Sequence, residues 1–272
     1  MLPFRDEQST YDPCDSPARL LGMGVYVHES VPSPPEPSAS KLGRAYNVSV
    51  YPVDQSPGAP APDSTHQVAD ILFPADDNDV QMGEITVCAS NAGDVTYRSR
   101  TVEYARRACT SARVSCPDET QVVSGGVFAE GTQEQSGMMV SSAPFDGRDP
   151  GRKPDDGWSA TADNLKRTNR ELQVHAICSD AGGFRYASDE LGVRKKRRKH
   201  VEVSCPGGTY AVSGGVTHNA KFRRATVVAT HPRGRCVPVH DDGDRGRQPL
   251  PQALAGRGLR DLPLLRLHGL AA

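Results

Sequence analysis

Short alternating and β-branched runs dominate the apolar pattern of the chain. "EITVCA", "TYAVSGGV" and "ATVVAT" are bounded by Gly, Pro and Asp, as half-buried strands are. No segment carries an apolar stripe at helical spacing with capping residues at its ends, so strands and turns are predicted throughout. The 26 Gly and 22 Pro among 272 residues agree, because both residue types weaken helix interiors.

The predicted strands recur in a fixed order. "VSCPDETQVVSGGV" (114–127) and "VSCPGGTYAVSGGV" (203–216) are near-duplicates, and "PCDSPARLLGMGVYVHE" (13–29) is a weaker third copy. Cys14, Leu21, Gly24 and Val25 align with Cys116, Val123, Gly126 and Val127, and with Cys205, Val212, Gly215 and Val216. Further on, "VSVYPVD" (48–54) answers "VSSAPFD" (140–146), and "VVATHP" (227–232) opens in the same way. "ADDNDVQMGEITVCAS" then answers "PDDGWSATADN" followed by "LQVHAICSD". A unit of this size cannot bury its own apolar face, so three in tandem predict one all-β body with a pseudo-threefold, β-prism-like arrangement. A β-sandwich is the alternative, and long irregular loops are expected in either. The units fall at 1–90, 116–180 and 203–232, the last incomplete. Connectors occupy 91–115 and, with a basic character, 181–202.

Seven cysteines point to an oxidising compartment, and the odd count leaves one over. The simplest pairing closes each complete unit: Cys14 with Cys88, and Cys116 with Cys178. There is no C-x-x-C pair, and Cys109 to Cys116 is too wide for a zinc knuckle, so no metal and no cofactor is expected. "MLPFRDEQST" lacks the basic start and apolar run of a signal peptide, which leaves two readings: a cytoplasmic protein, or a start assigned downstream of a leader. No apolar run approaches the roughly 18 residues of a membrane helix. A formal net charge of −1 removes any polyanion-binding character from the chain as a whole.

The third unit loses its pattern after His231-Pro232. Residues 233–272 are rich in Arg, Leu, Pro and Gly, and strand alternation disappears. One reading is a functional basic-apolar tail. The other is a shifted reading frame, because "DDGDRGRQ" and "AGRGLRD" can be encoded so that a neighbouring frame gives Thr-Val-Thr-Ala-Asp, close to "WSATADN", and the closing Cys. On that reading 233–272 is disordered or arbitrarily folded, and Cys205 has lost its partner.

These motifs resemble two groups of proteins. "SCPGGTYAVSGGV" and "VHAICSD" are similar to secreted bacterial repeat proteins built on Cys-Pro-x-Gly-Thr, a Gly-rich strand and a closing Ala-x-Ala-Ile-Cys; the likeness spans most of 14–232. "CPGGTYAVSGG" and "DDNDVQMGEITVC" resemble diverged repeats of the vitelline membrane outer layer protein family. That resemblance implies a three-sheet β-prism, an extracellular coat and saccharide binding. The chain departs from the family in having no aromatic after the glycines of unit three and a single Trp.

Several residues are candidates for chemistry. Trp158 could stack on a sugar face, although a lone Trp is ordinarily core. Glu29 and Glu130 follow the Gly-Val strand in units one and two; paired carboxylates would cleave glycosidic bonds if held roughly 5 to 9 Å apart. The run Arg194, Lys195, Lys196, Arg197, Arg198 and Lys199 would hold a polyanion, but it has no interleaved aromatics for base stacking, and such runs are ordinarily solvated loops. Asp76, Asp77 and Asp79, like Asp155 and Asp156, would offer oxygens to calcium but lack the loop spacing, and Asp also forms turns. His175 reads as a packed structural His, and no residue is assigned as catalytic. The expectation is a non-catalytic secreted or cell-surface protein with a binding or structural role, its partner an extracellular glycan or cell-envelope component. A glycan hydrolase and a polyanion binder are the alternatives; nucleic acid is not expected.

Overall fold

A computed structural model of the chain describes residues 4–11, 14, 18–29, 46–53, 66–74, 80–130, 137–147, 153–192, 202–206, 209–218 and 264–271. These residues contain no helix. Their strands are β1 (Phe4–Tyr11), β2 (Arg19–Glu29), β3 (Tyr46–Val53), β4 (His66–Pro74), β5 (Val80–Ala89), β6 (Val95–Tyr104) and β7 (Cys109–Ser115). β8 (Gln121–Ala129), β9 (Gly137–Phe145), β10 (Gly157–Asn164), β11 (Arg170–Ser179), β12 (Arg185–Gly192), β13 (Ala211–His218) and β14 (Leu264–Ala271) follow. The alternation that predicts them is visible in their burial: in β7, Ala112 and Val114 point inward while Ser111, Arg113 and Ser115 are exposed.

All pairings are antiparallel. One six-stranded sheet runs β1-β4-β3-β8-β11-β6, a second runs β12-β14-β13-β9-β10-β7, and β2 pairs with β5. Each large sheet combines two units. β3 of unit one meets β8 of unit two at Val50 and Val127, and β9 of unit two meets β13 of unit three at Ser142 and Val216. Those are the same positions of the repeat, so the two junctions between units share one register. The irregularities repeat as well. Pairing skips Leu21, Val123 and Val212 in the three Gly-rich strands, which makes the aligned residue a bulge in every unit. Val48 and Val140 are skipped in β3 and β9 in the same manner.

The bulges feed the core. Leu21, Val123 and Val212 all lie in one buried cluster with Leu20, Met23 and Ile177. Beside them the strands approach closely: a Cβ on Gly22 would stand 1.8 Å from the Val212 carbonyl oxygen, and Ser124 and Ser213 join hydroxyls at 2.8 Å. A second cluster, with Val127, Met139, Trp158, Leu172, Val174 and Val216, fills the space between the two large sheets. Cys14–Cys88 and Cys116–Cys178 are disulfides, the pairing that closes each complete unit. In the chain-entropy model each loop of this length contributes about 4 kcal/mol.

Three expectations change. The segments taken as connectors carry strands: β6 and β7 lie within 91–115 and β12 within 181–202, each at an edge of a large sheet. The tail is not irregular throughout, because β14 inserts between β12 and β13. Its register is that of the missing closing strand. His268 faces Gly215 as His175 faces Gly126, and Ala271 faces Ala211 where Cys178 faces Val122 and Cys88 faces Leu20. The closing cysteine is therefore absent from its place in the register. Yet Cys205 is disulfide-bonded, so it has not lost its partner as expected; among the described residues the cysteine outside a disulfide is Cys109.

Candidate functional site

An open groove of about 620 Å³ lies where β7 leaves its sheet, lined by Arg113, Ser115, Cys116, Asp118, Phe145, Asp146, Gly147 and Asp156. Strand alternation turns Arg113 outward, and its guanidinium lies over the Phe145 ring, 5.2 Å from the centroid. The turns around the groove are fixed by hydrogen bonds. Cys116 N donates to Asp156 O at 2.8 Å, Val122 N to Asp155 O at 2.9 Å, and Gln121 Nε2 to Asp155 Oδ2 at 3.1 Å. The Asp156 carboxylate accepts from Gly147 N. The Asp155-Asp156 pair therefore acts as a turn former. Asp118 and Asp146 are exposed and line the same groove as Arg113, whose guanidinium carries donors only.

The Cys-Pro motif borders this groove and explains its own composition. Thr120 bonds back to the Pro117 carbonyl through both N (3.2 Å) and Oγ1 (2.7 Å), and Thr209 bonds to Pro206 in the same way. Glu119 inside the turn has φ 65°, a left-handed conformation; the aligned position in unit three is Gly208.

Those predicted residues that the structure describes fall on or beside separate strands. Trp158 is 2% exposed and donates Nε1–H to Ser142 Oγ at 2.8 Å. It packs on Gly125, where a Cβ would stand 2.2 Å from the indole Cγ. It is core, and the expectation of a sugar-stacking Trp158 is corrected: neither ring face reaches solvent. Glu29 ends β2 and Glu130 follows β8, on strands of different sheets. Glu130 is held against β11, its Oε2 accepting from Glu171 N at 2.8 Å. Arg194 to Lys199 and Asp76, Asp77 and Asp79 lie outside the described residues. Among the described residues no group of three or more His, Cys, Asp or Glu could hold a metal, and no helix is long and apolar enough to cross a membrane.

His175 is packed, as its strand position suggested, but in an unusual slot. It is 4% exposed, and neither ring nitrogen has a hydrogen-bond partner. Its ring stacks on Tyr51 at 5.5 Å, with Phe128 5.0 Å from Tyr51. Gly126 pairs with His175 in register, and Tyr51 stands one residue on from the Val50–Val127 pair. The absent side chain of Gly126 thus leaves the two rings room to meet across β8. Burial lowers the imidazole from its ordinary 6.5 to about 4.

The groove residues carry little signal in the sequence. Arg113 gave one signal, as the charged outward position between buried Ala112 and Val114. Its meeting with Phe145 and the aspartates depends on three segments that only the fold brings together. No protein-family model matches the chain, and a search of curated proteins finds no significant match.

Proposed function

We propose that the chain is a secreted or cell-surface β-repeat module that binds carbohydrate without catalysis. The groove at Arg113, Phe145, Asp118 and Asp146 carries this reading. Carboxylates and a guanidinium match the alternating donors and acceptors of sugar hydroxyls, and the Phe145 edge offers apolar surface to ring carbons. The disulfides fit an oxidising extracellular setting. The resemblance to secreted repeat proteins and to the vitelline membrane outer layer family points the same way. A hydrolase is not favoured, because Glu130 is engaged with the Glu171 backbone and sits on a different sheet from Glu29.

A glycan array probed with the native chain and with Asp146→Asn tests this. Signal for a defined set of glycans, lost in the variant while its near-ultraviolet circular dichroism stays native, is the expected result. Silence of the native chain across the array overturns the carbohydrate reading and leaves a structural role.

A further inference from the structure

At the far end of β7 and β10 from the groove, two turns interlock. The β6–β7 turn presents Arg106 and Arg107, and the β10–β11 turn presents Lys166 and Arg167. Backbone and side-chain bonds hold them together: Arg107 N donates to Lys166 O at 3.0 Å, and Arg106 N to Asn169 Oδ1 at 3.0 Å. Buried Asn164 links both. Its Nδ2 donates to Tyr104 O at 2.9 Å and Thr168 O at 3.0 Å, its Oδ1 accepts from Lys166 N at 2.9 Å, and its N donates to Ala108 O at 3.0 Å. Four cationic side chains therefore stand on a rigid base.

Nothing described neutralises them. Arg106, Arg107 and Arg167 are exposed and Lys166 half-buried, and among the described residues none of the four makes an ion pair. From Arg98 to Arg113 the chain has five arginines and a single acid, Glu103. Arg107 also has φ 51°, a left-handed conformation that costs a β-carbon-bearing residue about 1 kcal/mol or more. Gly or Asn would relieve that strain, yet the position carries a cation. Charges held rigidly at one end, unpaired and partly strained, are what a multivalent anion meets with little ordering cost.

We infer that the interlocked turns Arg106-Arg107 and Lys166-Arg167 form a binding surface for an anionic polysaccharide, one bearing sulfates or uronate carboxylates. Polysaccharide rather than nucleic acid is favoured by two observations. The only exposed large hydrophobic residue among those described is Tyr210, outside both turns, so no aromatic platform is present for bases. The disulfides match a compartment where acidic glycans rather than nucleic acids are the abundant polyanions. This surface is separate from the groove, whose aspartates would repel the same ligand.

The test measures binding of the full chain to dextran sulfate, polygalacturonate, neutral dextran and duplex DNA across a salt series. The native chain is compared with Arg106→Gln/Lys166→Gln/Arg167→Gln and with a charge-matched control, Arg98→Gln/Lys153→Gln/Arg185→Gln. The expected result is salt-sensitive binding to at least one acidic glycan and none to neutral dextran. The turn variant loses roughly tenfold in affinity, the sum of three exposed ionic contacts, while the control stays within about twofold. Preference between the two acidic glycans tells sulfate from carboxylate. Equal losses in both variants, no binding by the native chain, or tighter binding to duplex DNA each overturns the inference. Arg107→Gly provides a variant that removes one charge and relieves the left-handed strain; its affinity should fall although its melting temperature does not. A glycan-array result lost with Asp146→Asn but unchanged in the turn variant would separate the groove from this surface.

Discussion

Single residues in this molecule are set by their neighbours across strands. His175 shows this most directly. Its position in "LQVHAIC" reads as packed, yet strict alternation would turn it away from the face that Val174 and Ala176 share. Instead Tyr51 stacks on it across Gly126, and burial removes the water that would hydrate a charged imidazole. Folding therefore keeps His175 neutral to about pH 4, whereas the unfolded chain takes up the proton below 6.5. Because the unfolded state binds more protons between those values, stability is full above pH 6.5, falls as pH drops toward 4, and levels off below it. A gap of this size corresponds to about 3 kcal/mol. Urea unfolding of native and His175→Leu chains from pH 7.5 to 4 is expected to show that loss in the native chain and a flatter profile in the variant. Parallel profiles would remove His175 from the acid sensitivity. The same attention to neighbours explains Trp158, whose place opposite Gly125 consumes the ring that the sequence offered to a sugar.

At the scale of elements, the bulges and their braces repeat together. Tyr97 of β6 donates its hydroxyl to Leu20 O at 2.8 Å, and Tyr186 of β12 donates to Val122 O at 2.8 Å. Leu20 and Val122 are the aligned residues just before the bulges at Leu21 and Val123, and Tyr97 and Tyr186 hold the aligned positions opposite Ile177 and Leu270. Each tyrosine thus ties a sheet edge to the bulge of the unit that precedes it in the chain. Burial, reinforced by the Asp155 and Asp156 carboxylates, holds the Tyr186 phenol protonated well above its usual range. Tyr186→Phe leaves the Val122 carbonyl without this donor and is expected to cost about 1 kcal/mol near neutral pH. The native chain should also lose stability as pH rises past 10, where unfolded tyrosine ionises and folded Tyr186 does not, and the variant should lose less. Thermal melts at pH 7 and 10.5 read both effects. Equal melting temperatures at pH 7 would mean the hydroxyl braces nothing. The connectors could not announce these strands, because edge strands such as β6 are mostly exposed and lack an apolar face: its burial runs from half-buried to exposed until Tyr104.

Over the whole molecule, Cys14–Cys88 and Cys116–Cys178 close the complete units and the strand exchange between units joins them. Cys116–Cys178 spans 62 residues and connects the turn before β8 to the end of β11. Cys116→Ala/Cys178→Ala is expected to lose about 2 to 4 kcal/mol, read as a lower urea midpoint under non-reducing conditions. A midpoint that stays put would show that sheet pairing alone sustains unit two. The sequence by itself determined the all-β class and the order of the repeated features, because alternation and turn residues are local and recur; cysteine spacing offered only the simplest pairing, which both described disulfides follow. It also signalled that unit three lacks a closing cysteine, which Ala271 confirms by position. Only the tertiary structure decided that a tail without strand alternation supplies that third closing strand. The same holds for the groove at Arg113, the neutral slot of His175 and the interlocked basic turns. Each depends on residues far apart in the chain meeting at one place, and no local pattern encodes a meeting of that kind.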